Sequence, residues 1–173
     1  MIRIESKTQL LEAIKHIHFD CYKLCNQVFG TYFSNAGNIG VFSHTDEEYK
    51  YLSKLQEELT EPSDNPHQKY FHLKQSILVP AENNVPEATY THLYIRKPDP
   101  TPYGNYLGDV DFFLEPATYT KLKNQILSGT VIKSAQIYDR PGWDMIQLSD
   151  PTIASVGYIS TQAMAEKIRL KQL

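Results

Sequence analysis

Two cysteines, one tryptophan and no long apolar run among 173 residues close off several classes of protein at once. Cys21 and Cys25 are four apart in a helical stretch, so both thiols share one face, and no second pair completes a zinc site. His18, on the same stripe, offers a third ligand on paper. Buried reduced thiols are the simpler expectation, since free cysteine is often buried in a reducing compartment. The apolar runs stay far below the roughly 18 residues that a membrane span needs. Residues Met1 to Glu5 lack the basic, apolar and small-residue zones of a secretory signal, so the expected location is the cytoplasm, away from membranes. Positive charge is short too. Lys and Arg number 17 against 20 Asp and Glu, a net charge of −3. That argues against a nucleic-acid partner, whose phosphates require a basic surface. The glycine-rich phosphate loops, the Gly-x-Ser-x-Gly elbow and the His-Glu-x-x-His zinc motif are all absent.

What the chain does have is tyrosine: 12, against 7 phenylalanines. Its 41% hydrophobic and 21% charged residues suit a globular fold, and its length suits one domain spanning 1–173. Leu10, Ile14, Ile17, Cys21, Leu24 and Val28 recur at helical steps, with Ser6 and Gln9 as a capping box and Gly30 as the stop; this predicts a helix within 1–30. A strand over 38–42 then leads through Thr45, a natural N-cap, into a helix to about residue 60. Strands follow at roughly 69–79 and 88–97. After a proline-spaced loop, 98–107, which carries Tyr103 and Tyr106, come a strand from Gly108, a helix opened by Pro116, and strands near 133–139, 143–149 and 153–159. A C-terminal helix occupies 160–173. The segment from Arg140 to Trp143 reads as a type II hairpin turn, with Pro141 and Gly142 at its centre.

Gly37 to Phe42 and Gly108 to Phe113 each lead into a Tyr/Leu-striped helix and then into strands. The chain therefore reads as a βαββ unit over 37–97 and a βαβββ unit over 108–159, a possible tandem repeat. This order of elements resembles the paired βαβββ modules of the vicinal oxygen chelate (glyoxalase-like) superfamily, with 108–159 the better match. The resemblance implies a metal-dependent enzyme holding a divalent ion through His and Glu on inner strand faces. The closing strand, Ala154 to Ile159, contains neither residue.

Alternation along the strands separates two faces. Phe71, Leu73, Leu93, Ile95, Val110, Phe112, Ile146 and Leu148 form an aliphatic side suited to receive helices. Tyr70 and His72, then Tyr90, His92, Tyr94 and Arg96, then Asp109 and Asp111 fall on the other side, as does Trp143. The expected fold is α+β: a mainly antiparallel, possibly strongly curved sheet with helices on one face. The candidate ligand-binding residues are Tyr90, His92, Tyr94, Arg96, Asp109, Asp111, Arg140, Trp143 and Asp144. Aromatic walls with a few polar groups are what small-molecule sites are made of. Arg96 and Arg140 could receive a small anionic ligand, or with Asp99 and the other aspartates form an ion network. Tyr, Trp and Arg are also the residues enriched where proteins meet, so a protein partner or a second copy of the chain is the other expectation. His72, His92 and Asp111 make a two-histidine, one-carboxylate set for a divalent metal. Three readings follow: a small binding or interaction protein, a glyoxalase-like metalloenzyme, or a purely structural subunit.

Overall fold

The computed structural model describes residues 4–101, 105–129 and 134–171, without the side chains of Arg140 and of residues 167–171. Tyr103 of the proline-spaced loop lies outside the described residues. The first helix, α1 (Lys7–Phe29), begins as its sequence dictates. Ser6 Oγ accepts the Gln9 N–H at 3.1 Å, and Gln9 Oε1 accepts the Glu5 N–H at 2.7 Å, so two otherwise unpaired amides are satisfied. It ends at Gly30, whose φ of 68° is the left-handed cap that glycine adopts without strain.

After β1 (Ser34–Phe42), Thr45 caps α2 (Asp46–Leu59) by accepting the Glu48 N–H. The buried Glu48 carboxylate accepts from the amides of Ile4 and His44, which ties the N-terminal segment to this helix. Strands β2 (Phe71–Val79) and β3 (Ala88–Arg96) form a hairpin. Strand β4 (Gly108–Phe113), helix α3 (Pro116–Leu127), strands β5 (Ala135–Arg140), β6 (Trp143–Leu148) and β7 (Ser155–Ser160), and helix α4 (Gln162–Lys171) complete the chain. Gly142, at the third position of the β5–β6 turn, has φ 85°, as a type II turn requires.

The protein is α+β, but its sheet is mixed rather than mainly antiparallel. The seven strands run in the order β2-β3-β1-β4-β7-β6-β5. Four neighbouring pairs are antiparallel, while β1/β3 and β4/β7 are parallel. The reason is common to both halves. The last strand of each half does not stay at the edge; it inserts beside the first and points the same way. Alternation reports which face a residue takes and carries no signal for strand direction.

Along the aliphatic face, Ile39, Val41, Leu93, Ile95, Val110, Phe112, Ile146 and Ile159 are buried with Leu10, Ile14, Ile17 and Leu24 of α1 and Leu52 and Leu55 of α2 in one core. Cys21 and Cys25 belong to that core, and burial pushes both thiols up, so they are inert packing groups. Among the described residues, no helix is long and apolar enough to cross a membrane.

Two of the expected ligand-binding residues lie on the helix side instead. The β2–β3 ladder slips between the pairs His72/His92 and Ile77/Tyr90, so five steps of β2 oppose two of β3. Burial along β3 changes parity there, from Ala88 and Tyr90 to Leu93 and Ile95. Tyr90 is consequently buried against α1, its hydroxyl 2.9 Å from His18 Nδ1. Asp144 alternates with Ile146 and Leu148, and its carboxylate accepts from the Tyr119 hydroxyl and pairs with Lys123 Nζ at 2.6 Å, both on α3. It pins that helix to the sheet.

His18 is fully buried, and its second ring nitrogen is 3.2 Å from the Pro86 carbonyl. A carbonyl only accepts, so Nε2 carries the proton and Nδ1 accepts from Tyr90. Desolvation lowers the His18 pKa from its usual value to about 4. The unfolded chain therefore takes up a proton near pH 6.5 that the folded protein refuses until about pH 4. Stability from this group is complete above that window and is lost as pH falls through it. Denaturant titrations should show a decline from pH 7 to pH 4.5 that His18→Gln flattens. Tyr90→Phe should cost about 1–2 kcal/mol at pH 7 by removing the donor to a buried nitrogen.

Candidate functional site

The face away from the helices is organised as a row that crosses the whole sheet. His72 is register partner of His92, and His92 of Asn38. Asn38 Nδ2 donates to Asp111 Oδ2 at 3.0 Å. Asp111 is paired with Tyr158, Tyr158 with Gln147, and Gln147 with Gln136, whose amide donates to it at 3.1 Å. One side chain from each of the seven strands thus forms a continuous polar line. Rings flank it: Tyr70 against Tyr94, and Tyr138 against both Tyr158 and Trp143.

The centre of this face is the seam between β1 and β4, where the two halves of the chain meet. Gly40 opposes Asp109 there. A Cβ built on Gly40 would stand 2.0 Å from Asp109 Oδ1, so the carboxyl lies in the space that a side chain would fill. Asp109 is only 6% exposed. Burial and the neighbouring Asp111 push its pKa well above the ordinary carboxylate range, and the Arg96 guanidinium and the Gly40 amide offset only part of that.

The same centre acts on the tyrosines. Burial, then Asp111 and Asp109, raise the Tyr70 hydroxyl far above its usual value. Burial and Asp109 push Tyr94 up to about 12, against a partial offset from Arg96. These phenols stay protonated and can donate or accept hydrogen bonds. Beside them, Asn38 is 4% exposed, and its Oδ1 is a buried acceptor without a hydrogen-bond partner. Leaving such a group unpaired costs about 1–3 kcal/mol.

Of the residues expected at the site, His92, Tyr94, Arg96, Asp109, Asp111 and Trp143 are on this face, while Tyr90 and Asp144 are not. The Arg140 side chain lies outside the described residues. Arg96 stacks its guanidinium 4.8 Å above the Phe42 ring and pairs with Asp99, so it belongs to an ion network at the end of β3. His72 and His92 do meet edge to face, with ring centroids 5.1 Å apart. Asp111, however, lies three strand spacings of about 4.8 Å from His72, with Asn38 between it and His92. Among the described residues no three His, Cys, Asp or Glu side chains group as a metal would require.

Sequence reasoning missed Asn38, Gly40, Tyr138 and Tyr158. The signal for Tyr158 is present, because it alternates with the buried Gly157 and Ile159. No local signal exists for Asn38, whose importance comes from lying opposite Asp111.

No protein-family model matches the chain, and no curated protein does. A solved structure described as "Structural Genomics, Protein EC4020" is similar, with a TM-score of 0.55 over 100% of this chain and 99% of that one, at 10% identity. At that identity the likeness is one of fold.

Two substitutions probe the seam. Gly40→Ala should destabilise the protein by about 1–3 kcal/mol, since the methyl displaces the Asp109 carboxyl from a packed position. Asp109→Asn should do the opposite at neutral pH. A carboxyl whose folded pKa is raised contributes fully below its unfolded value, near 3.9, and loses that contribution as pH rises through the folded value. The asparagine variant should therefore melt above the wild type at pH 7 and show a flatter pH profile.

Proposed function

We propose that this is a small-molecule binding protein whose ligand lies on the polar sheet face across the β1–β4 seam. On this reading the two halves are a tandem βαββ and βαβββ pair, and the ligand sits where their first strands meet. One observation carries the proposal: Asn38 Oδ1, a buried acceptor without a donor, stands beside the Asp111 carboxylate that its own amide contacts, next to the second carboxyl, Asp109. Asn38 Oδ1 there lacks a donor. A ligand that presents N–H groups or a positive charge would satisfy it, with a flat apolar body against Tyr94 or Tyr158.

That chemistry differs from the anionic ligand suggested by the arginines, because Arg96 is engaged by Asp99 and Phe42. The glyoxalase-like reading needs a ligand set, and the separation of His72 from Asp111 gives it no support. A purely structural role leaves the cost of the buried acid and of the orphan acceptor without a return.

Calorimetry with benzamidine and phenethylamine as probes tests the reading. The expected result is saturable binding by at least one of them, weakened about tenfold or more by Asp111→Asn, a loss of about 1.4 kcal/mol. Absence of saturable binding by either probe at millimolar concentration, or binding indifferent to Asp111→Asn, rejects it.

A further inference from the structure

A notch at the edge of the sheet lies apart from the seam and has a different character. Strand β2 starts only at Phe71, paired with Leu93, so the end of β3 runs on without a neighbour on that side. Helix α2 walls the space on one flank, with Gln56 Nε2 reaching the Leu93 carbonyl at 2.9 Å. The connection from Thr60 to Tyr70 walls the other. The half-open cavity measures about 870 Å³, within the range of small-molecule sites.

The connecting segment is stiff rather than loose. The Gln68 N–H donates to the Asn65 carbonyl at 3.1 Å, and the His67 N–H to Asn65 Oδ1 at 2.9 Å. The Gln68 side chain takes a hydrogen bond from Ser63 and gives one to the Tyr70 carbonyl. The Glu61 N–H donates to the His72 carbonyl, which anchors the segment to β2. Pro62 and Pro66 reduce its freedom further. A wall built this way loses little entropy when a ligand arrives.

Two features of the lining point to one class of ligand. The first is charge: Lys69, Lys74 and Lys97 outnumber Glu57 and Glu61 around the cavity. Lys74 is committed to the carbonyls of Glu57 and Glu58 at the end of α2, whereas among the described residues no ion pair engages Lys69 or Lys97. The second is aromatic surface, from Tyr49 of α2 and Phe71 of β2, both half-buried. We propose that this notch is a second site, which binds a small aromatic anion, its ring against Tyr49 and Phe71 and its anionic group toward Lys69 and Lys97. This goes beyond the function proposed for the seam and does not depend on it.

Titration with phenyl phosphate, inorganic phosphate and phenol, followed by calorimetry, separates ring from charge. Phenyl phosphate should bind with a Kd at least about tenfold below that of either fragment. The Lys69→Gln/Lys97→Gln double variant should weaken it about tenfold or more without moving the melting temperature, since both side chains are exposed. Asp111→Asn should leave it unchanged. The proposal is overturned if phenyl phosphate fails to saturate, if inorganic phosphate binds equally well, or if the double variant binds as the wild type does. Loss of binding in Asp111→Asn alone would overturn it too, by moving the ligand to the seam.

Discussion

Burial of one aliphatic sheet face under amphipathic helices is the constraint on which everything else here rests. Strand side chains alternate, so every residue set against α1 or α2 sends its neighbours to the opposite face. Ile39 and Val41 are buried in the core, which assigns Asn38 and Gly40 to the other side. Val110 and Phe112 do the same for Asp109 and Asp111. With seven strands in register, the choices made for core packing assemble a polar row from edge to edge. Where the register slips, as in β2 against β3, a side chain crosses over, and Tyr90 becomes a partner of His18 instead of a neighbour of Tyr94.

The middle of the row combines features that oppose stability. Asp109 is a carboxyl in the space above a glycine, next to a second carboxylate and tyrosines that burial keeps protonated. Asn38 adds an unmatched acceptor. Polar groups placed against their own solvation cluster at functional sites, which is the ground for the binding proposed at the seam. By contrast, Asp144 with Tyr119 and Lys123 is a fully matched cluster, and it does structural work on α3.

Much of this was legible beforehand. The caps at Ser6 and Thr45, the stop at Gly30, the Pro116 start and the Pro141–Gly142 turn are local chemistry, and local chemistry survives folding. The placement of Asp109, Asp111, His92 and Tyr94 on one face followed from alternation. Tyr90 was misplaced because a bulge leaves no mark in alternation itself. Asp144 belonged with Ile146 by the same rule that placed the others. Asn38 was invisible because its meaning depends on a residue 73 positions away.

The sequence by itself determined the elements, the helix caps and, where no bulge intervenes, the face a strand side chain takes, because these depend on neighbours within a few residues. Strand order and direction were decided only in the tertiary structure, since period-two alternation is identical for a strand and its reverse. That ordering put β1 beside β4 and brought Gly40 opposite Asp109. It also separated His72 from Asp111 by two intervening strands, turning an apparent metal set into members of one long polar row. Which residues could share a site was settled by strand spacing, a quantity that the sequence does not contain.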